Sequence, residues 1–370
     1  MTEAPVARLR AAAPRLEELD VLRWAAILAV VFIHVSALAI RPGDNGLLAS
    51  ANRLSRFAVP AFVAMAAGLA WTRPPIPTLA RWASYMGRRL LVIGVPYALF
   101  SAAYVVPAAL RRTGVPGALS AWAEAVACGN AWSHLYFVPL VLVLYAVQPL
   151  ASRLMERAPR ATTVASWLVA AGWWYVWDAL PVIGRTWSWW LLYLPFATAG
   201  WLYVLHRDPA SAALARWWPA VLLAGGAFAL PAVRVPLTDR LERIAVAGPA
   251  LKSIVSNASD LAVLAGIAAL CAMAAAAWPT LARLARRYQP LVYGVYLSHP
   301  LLVFGLAVAA KRAGITAWLG WLSIPLTVVV LAVVSLGVWA LGRSRFTAWT
   351  VGVDPGACGL ASAMTEQGET

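Results

Sequence analysis

Residues 19–38, LDVLRWAAILAVVFIHVSAL, decide the class of this fold. The stretch is mostly apolar and has the length of about 20 residues that an α-helix needs to cross a bilayer. Yet it carries Asp20 and Arg23 at one end and His34 well inside. Ionisable groups in such a helix are costly and by default mark a functional site. The plainer reading of the histidine is a neutral ring satisfied by a neighbouring helix. Asp20 and Arg23 are three residues apart and share a helix face. Arg23 and His34 are eleven apart, almost three whole turns. They therefore fall on one stripe, about 16 Å apart along the axis.

The rest of the chain repeats the membrane signal. Of its 370 residues, 62% are hydrophobic and 12% charged, with a mean hydropathy of +0.72. Soluble domains are about 25% charged, so a larger core does not explain this composition. The net charge of +15 would suggest nucleic acid in a soluble protein. Here the arginines flank apolar segments, as cytoplasmic membrane loops require, and no nucleic-acid partner is expected. Cys128, Cys271 and Cys358 lie far apart without metal spacing. Phosphate-loop, HExxH and CxxC motifs are absent, so no metal is expected. No small-residue cleavage site follows the first apolar segment, which reads as a retained helix rather than a signal peptide.

Ten segments qualify as spans: 19–40, 56–72, 88–110, 134–152, 162–181, 187–205, 217–234, 259–278, 289–310 and 318–341. The predicted fold is an all-α polytopic transmembrane helix bundle of about ten spans. Residues 1–18 form a cytoplasmic N-terminal segment, 19–342 the transmembrane domain, and 343–370 a structureless cytoplasmic tail. Loop arginines favour a cytoplasmic N-terminus by a modest margin. Arg73, Arg88, Arg89, Arg207, Arg286 and Arg287 then lie inside; Arg53, Arg56, Arg234 and Lys252 lie outside. An even number of spans puts both termini in the cytoplasm. The 20 tryptophans gather near helix ends, as an interfacial belt does.

His134, in WSHLYFVPLVLVLYAVQP, and His299, in VYGVYLSHPLLV, also sit in apolar surroundings. On this topology both fall at the outer-half depth of His34. His206, beside Arg207 and Asp208, reads as ordinary surface. The Arg23–His34 stripe suggests a chemistry. An arginine at the cytoplasmic mouth holds a phosphate-bearing ligand, and an imidazole three turns deeper acts as general base toward a hydroxyl. A long, thin donor with a phosphorylated head and a reactive tip would connect them along one continuous passage. Acyl-coenzyme A has that shape.

Four stretches together resemble the multi-pass acyltransferase 3 family of membrane O-acyltransferases: LDVLRWAAILAVVFIH, FAVPAFVAMAAGLAW, SHLYFVPLVLVLYAVQPL and GVYLSHPLL. Their order and spacing cover nearly the whole chain. Met65, Ala66 and Ala67 depart from the aromatic-Ser-Gly that the family usually has there. The resemblance implies transfer of an acyl group, by default acetyl, from cytoplasmic acyl-coenzyme A to a hydroxyl. The acceptor would be a polysaccharide, a glycolipid or a glycosylated small molecule. No cofactor would be permanently bound. His34 is implied as the catalytic histidine, Arg23 as a donor-binding group and Asp20 as its orienter, with His134 and His299 as further catalytic candidates. The family's Arg-x-x-Arg before the third helix is represented by Arg88 and Arg89, with Val92 where the second arginine would fall. Arg53 and Arg56 also form an Arg-x-x-Arg, but on the opposite side, as acceptor-side or flanking residues. Some relatives continue into an extracellular hydrolase-like domain; here the membrane part is expected to do the chemistry itself or to hand its product to another protein.

Direct transfer and a covalent acyl-histidine both fit these residues. The competing class is a proton-coupled transporter or flippase using the buried His and Arg groups as a relay. It predicts substrate movement without acyl-coenzyme A consumption. Either protein would be multi-pass in the plasma membrane, with the lipid bilayer as its constant partner.

Overall fold

A computed structural model describes residues 16–353 apart from 42, 45, 245, 246, 316–318 and 345. Most of the expected N-terminal segment, Cys358 and residues 354–370 of the expected tail lie outside that set. Among the described residues the secondary structure is helical throughout, without strands. The helices are α1 (Glu17–Ser36), α2 (Leu47–Leu54), α3 (Ala58–Trp71), α4 (Leu79–Arg89) and α5 (Val95–Cys128). Next come α6 (Phe137–Ala146), α7 (Gln148–Arg157), α8 (Pro159–Gly172), α9 (Val182–Ser188) and α10 (Leu194–Leu205). The last six are α11 (Arg207–Ala229), α12 (Pro231–Glu242), α13 (Gly248–Ala277), α14 (Pro279–Tyr288), α15 (Leu291–Arg312) and α16 (Leu319–Gly342).

Among the described residues, seven helical stretches are long and apolar enough to cross a membrane, or eight if the bent pair α6 and α7 is one span. The expected spans at 162–181 and 187–205 are instead built from shorter pieces. Helix α8 ends in the 3₁₀ turn Trp173–Tyr175, and the 3₁₀ turn Trp189–Tyr193 leads into α10. The expected third span begins with a π-helical turn, Leu90–Gly94, between α4 and α5. Helix α5 then kinks at Gly114, whose φ of 69° lies in the left-handed region, a conformation glycine adopts without a Cβ penalty.

Helix α1 is the central element. It packs against α2, α3, α13, α14, α15 and α16, which explains why it is apolar on nearly every side and still holds polar groups away from lipid. Lipid tails are as apolar as leucine, so small residues that let backbones approach are what hold such bundles together. The α3–α10 crossing shows this. A Cβ on Gly68 would lie 2.7 Å from the carbonyl oxygen of Gly200, and one on Gly200 would overlap that of Ala64 more severely still.

The expected structureless tail starts differently. After α16 the chain makes a 3₁₀ turn, Ala348–Val351, with Ala348, Val351 and Val353 buried. These small apolar side chains have a surface to cover beside α15 and α16, so the chain stays on the bundle.

Candidate active site

At one end of α1, Asp20 is 2% exposed and accepts a hydrogen bond from Arg23 Nη1 at 2.8 Å. A buried carboxylate needs such a partner, and the i,i+3 spacing supplies it within the helix. Two further contacts seat this end. Arg207 grips the buried Glu18 through two bonds of 2.9 and 3.2 Å, and Trp24 donates to the carbonyl of Ala285 at 3.1 Å.

Beside this end lies a cavity of about 420 Å³, lined by Arg23, Arg73, Arg89, Tyr145, Tyr293 and Tyr296 among others. Three guanidiniums converge there, and its lining contains no carboxylate. Of the expected pair, Arg89 faces the cavity and lies over the Tyr145 ring, 4.4 Å from its centroid. Arg88 is exposed and lines neither cavity; one residue step on a helix turns a side chain about 100° away. Val92 lines the same cavity three residues after Arg89, so the register of the family's Arg-x-x-Arg is kept while its second charge is missing. Met65 and Ala66 also line this cavity, whereas Ala67 is buried. The π turn exposes the Ile93 carbonyl, which accepts a 2.6 Å hydrogen bond from Tyr293. Such turns recur at functional sites. Gly352, from the tail turn, completes the wall.

The opposite end of α1 holds His34, half-buried and lining a second cavity of about 930 Å³. Asn52 on α2 fixes this turn by donating to the Ile33 carbonyl at 2.9 Å and to Ser36 Oγ at 2.8 Å. His134 comes from the turn before α6 and His299 from α15, and they meet His34 in a triangle. Ring centroids are 5.8 Å apart for His34–His134, 5.1 Å for His34–His299 and 5.3 Å for His134–His299. His134 also lines the second cavity; His299 is fully buried behind His34 and lines neither. His299 Nδ1 lies 3.1 Å from the Val295 carbonyl, which fixes its proton on that nitrogen and leaves Nε2 without a partner. Neither ring nitrogen of His134 makes a hydrogen bond of ordinary geometry. Tyr104 and Tyr296 close the cluster, with centroids 5.8 and 5.1 Å from His134. The Tyr296 hydroxyl donates to the His134 carbonyl. Among the described residues, no group of three or more His, Cys, Asp or Glu could hold a metal ion.

Where a continuous passage between Arg23 and His34 is expected, two cavities lie, one facing each residue. Tyr296 lines both. Phe62 and Phe137 stack beside it, with Phe137 5.6 Å from Tyr296 and Phe62 5.9 Å from Phe137. Both volumes fall in the range of ligand pockets, roughly 300–1,000 Å³. Sequence reasoning places Arg73 and Arg234 only as loop charges. It holds Tyr296 only as the tyrosine of the GVYLSHPLL motif and gives no role to Tyr104, Tyr145, Tyr193 or Tyr293. An aromatic residue in an apolar helix carries no periodicity signal that separates a cavity wall from core.

Curated proteins and solved structures give no significant match. A family model described as an acyltransferase domain, that of acyltransferase 3, matches residues 16–343, which takes in both cavities except Gly352. With the buried histidine and the arginine-lined cavity on one helix, and that match over most of the chain, the protein belongs to the acyltransferase 3 family and is a membrane acyltransferase.

Proposed function

We propose that the protein moves an acyl group, by default acetyl, from acyl-coenzyme A to a hydroxyl of a carbohydrate-bearing acceptor. The end of the bundle carrying Arg23, Arg73 and Arg89 faces the cytoplasm, both termini lie on that side, and the bilayer is the plasma membrane. Supporting this reading is one observation: α1 presents Arg23 to one cavity and His34 to the other, and the two cavities adjoin at Tyr296. The phosphates of the donor pair with the three guanidiniums, whose forked donors match phosphate oxygens. The acceptor enters the larger cavity.

In this mechanism the free nitrogen of the His34 ring takes the proton of the acceptor hydroxyl. The oxygen attacks the thioester carbonyl, the C–S bond breaks, and the imidazolium returns the proton to the departing thiolate. The acceptor leaves as an ester and coenzyme A as its thiol. Direct transfer requires the Tyr296 phenol to move aside so that the thioester reaches His34. The His134 and His299 rings pack against His34, with centroids 5.8 and 5.1 Å from its own, and limit the positions its ring can take.

The donor half is tested by acyl-coenzyme A saturation kinetics. Arg89→Gln is expected to raise the KM for the donor on the order of tenfold to a hundredfold, the loss of a charge-assisted hydrogen bond, with kcat little changed. Arg23→Gln removes an ion-pair partner of the buried Asp20 carboxylate, so it is made together with Asp20→Asn. That double variant is expected to show the same KM effect. An unchanged KM in both would remove the arginine cavity from donor binding.

A further inference from the structure

The larger cavity is electrically lopsided. Arg53, Arg56, Arg234 and Lys252 line it, against one carboxylate among its lining residues, Asp260. That carboxylate is already taken: Arg234 Nη1 donates to it at 3.1 Å. Arg53 is half-buried, and Arg56 stands exposed three residues further on, in the 3₁₀ turn Ser55–Phe57 that leads into α3. Neither makes an ion pair with any described residue. Two like charges held close together in a partly desolvated wall repel each other and lose hydration. Side chains this long would ordinarily reach out toward lipid headgroups. Instead they line the cavity that His34 faces.

We propose that the acceptor is an anionic saccharide, one carrying phosphate or carboxylate groups that Arg53 and Arg56 grip while a sugar hydroxyl is presented to His34. This inference rests on the acyl-transfer reading of the same cavity. Guanidinium forks bind both kinds of oxyanion in pairs of bonds. A cavity of one sign with low-dielectric walls also concentrates anions at its mouth. The sugar itself has a surface to lie on: Trp189 packs 4.9 Å from Tyr136 in the cavity wall, offering flat apolar faces with polar edges.

The test has two arms. In the first, purified full-length protein is titrated calorimetrically with glucose 1-phosphate, glucuronate and glucose. Both anions are expected to bind about tenfold or more tightly than glucose. The double variant Arg53→Gln/Arg56→Gln should erase that difference, Arg53→Lys/Arg56→Lys should keep most of it, and Arg89→Gln should leave it intact. Equal binding of glucose, no binding of either anion, indifference to the Gln pair, or loss in Arg89→Gln would each overturn the proposal. In the second arm, saccharides from cells expressing wild type or His34→Ala are compared by mass spectrometry after anion exchange. A species acylated only with wild type should be retained on the resin. A neutral acylated species overturns the anionic acceptor and leaves acyl transfer standing. The absence of any His34-dependent acylated species overturns acyl transfer itself, while the first arm still decides the charge preference.

Discussion

His34→Ala is expected to abolish measurable acyl transfer while the protein still inserts and folds. General-base assistance is worth about 10²–10⁴-fold, and His34 faces the larger cavity directly. His299 lines neither cavity, so it is not placed to take over. His134 does line the larger cavity, with both ring nitrogens unbonded, and a residual rate at the low end of that range would point to it. Folding should survive because the ring contributes packing against His134 and His299 while the turn around it is held by Asn52, through the Ile33 carbonyl and Ser36 hydroxyl. The check is release of free coenzyme thiol by purified protein, with size-exclusion elution as the folding control. A His34→Ala protein that elutes normally and turns over at the wild-type rate sinks the base assignment. The same assay separates the enzyme from a transporter, which would consume no acyl-coenzyme A.

The second large effect is on stability. Gly200→Ala should lower the thermal stability of the purified protein at the upper end of the overpacking range, about 1–3 kcal/mol. The added carbon would fall well inside contact distance of the backbone oxygen of Ala64, and a backbone atom inside a packed helix cannot swing away as a side chain does. Alanine's better helix propensity, about 1 kcal/mol over glycine, works in the opposite direction and is outweighed. Gly305→Ala is the control. That position is on α15, exposed, with nothing within 4 Å of an added Cβ, so only the propensity gain remains and stability should hold or rise. Equal behaviour of the two variants would show that the α3–α10 crossing is looser than its geometry.

Much of the site is legible in the order of residues alone. Asp20 and Arg23 pair as their spacing requires, and Arg23 and His34 each face a cavity from α1. The arginines assigned by loop position to opposite sides of the membrane collect in different cavities: Arg73 and Arg89 with Arg23, Arg53 and Arg234 with His34. What stays illegible is everything that needs two helices at once. Adjacent arginines look alike in a sequence, but only Arg89 turns inward. Tyr296 is legible only as a residue of the GVYLSHPLL motif, and nothing in the sequence says that it lines both cavities. The tail reads as too polar and glycine-rich to fold, but its first residues find apolar surface on the bundle.

By itself the sequence determined that this chain is a bundle of apolar helices and that one of them carries an acid, a guanidinium and an imidazole at set angles and heights. Those properties follow from hydropathy and from the 3.6-residue period, which are local. Tertiary structure alone decided that three histidines from distant segments share a corner, and that Tyr296 stands where the cavities along α1 meet. Such facts depend on how closely helices approach. That approach is set by contacts between residues far apart in the chain, such as Ala64 with Gly200, whose meeting no single helix encodes.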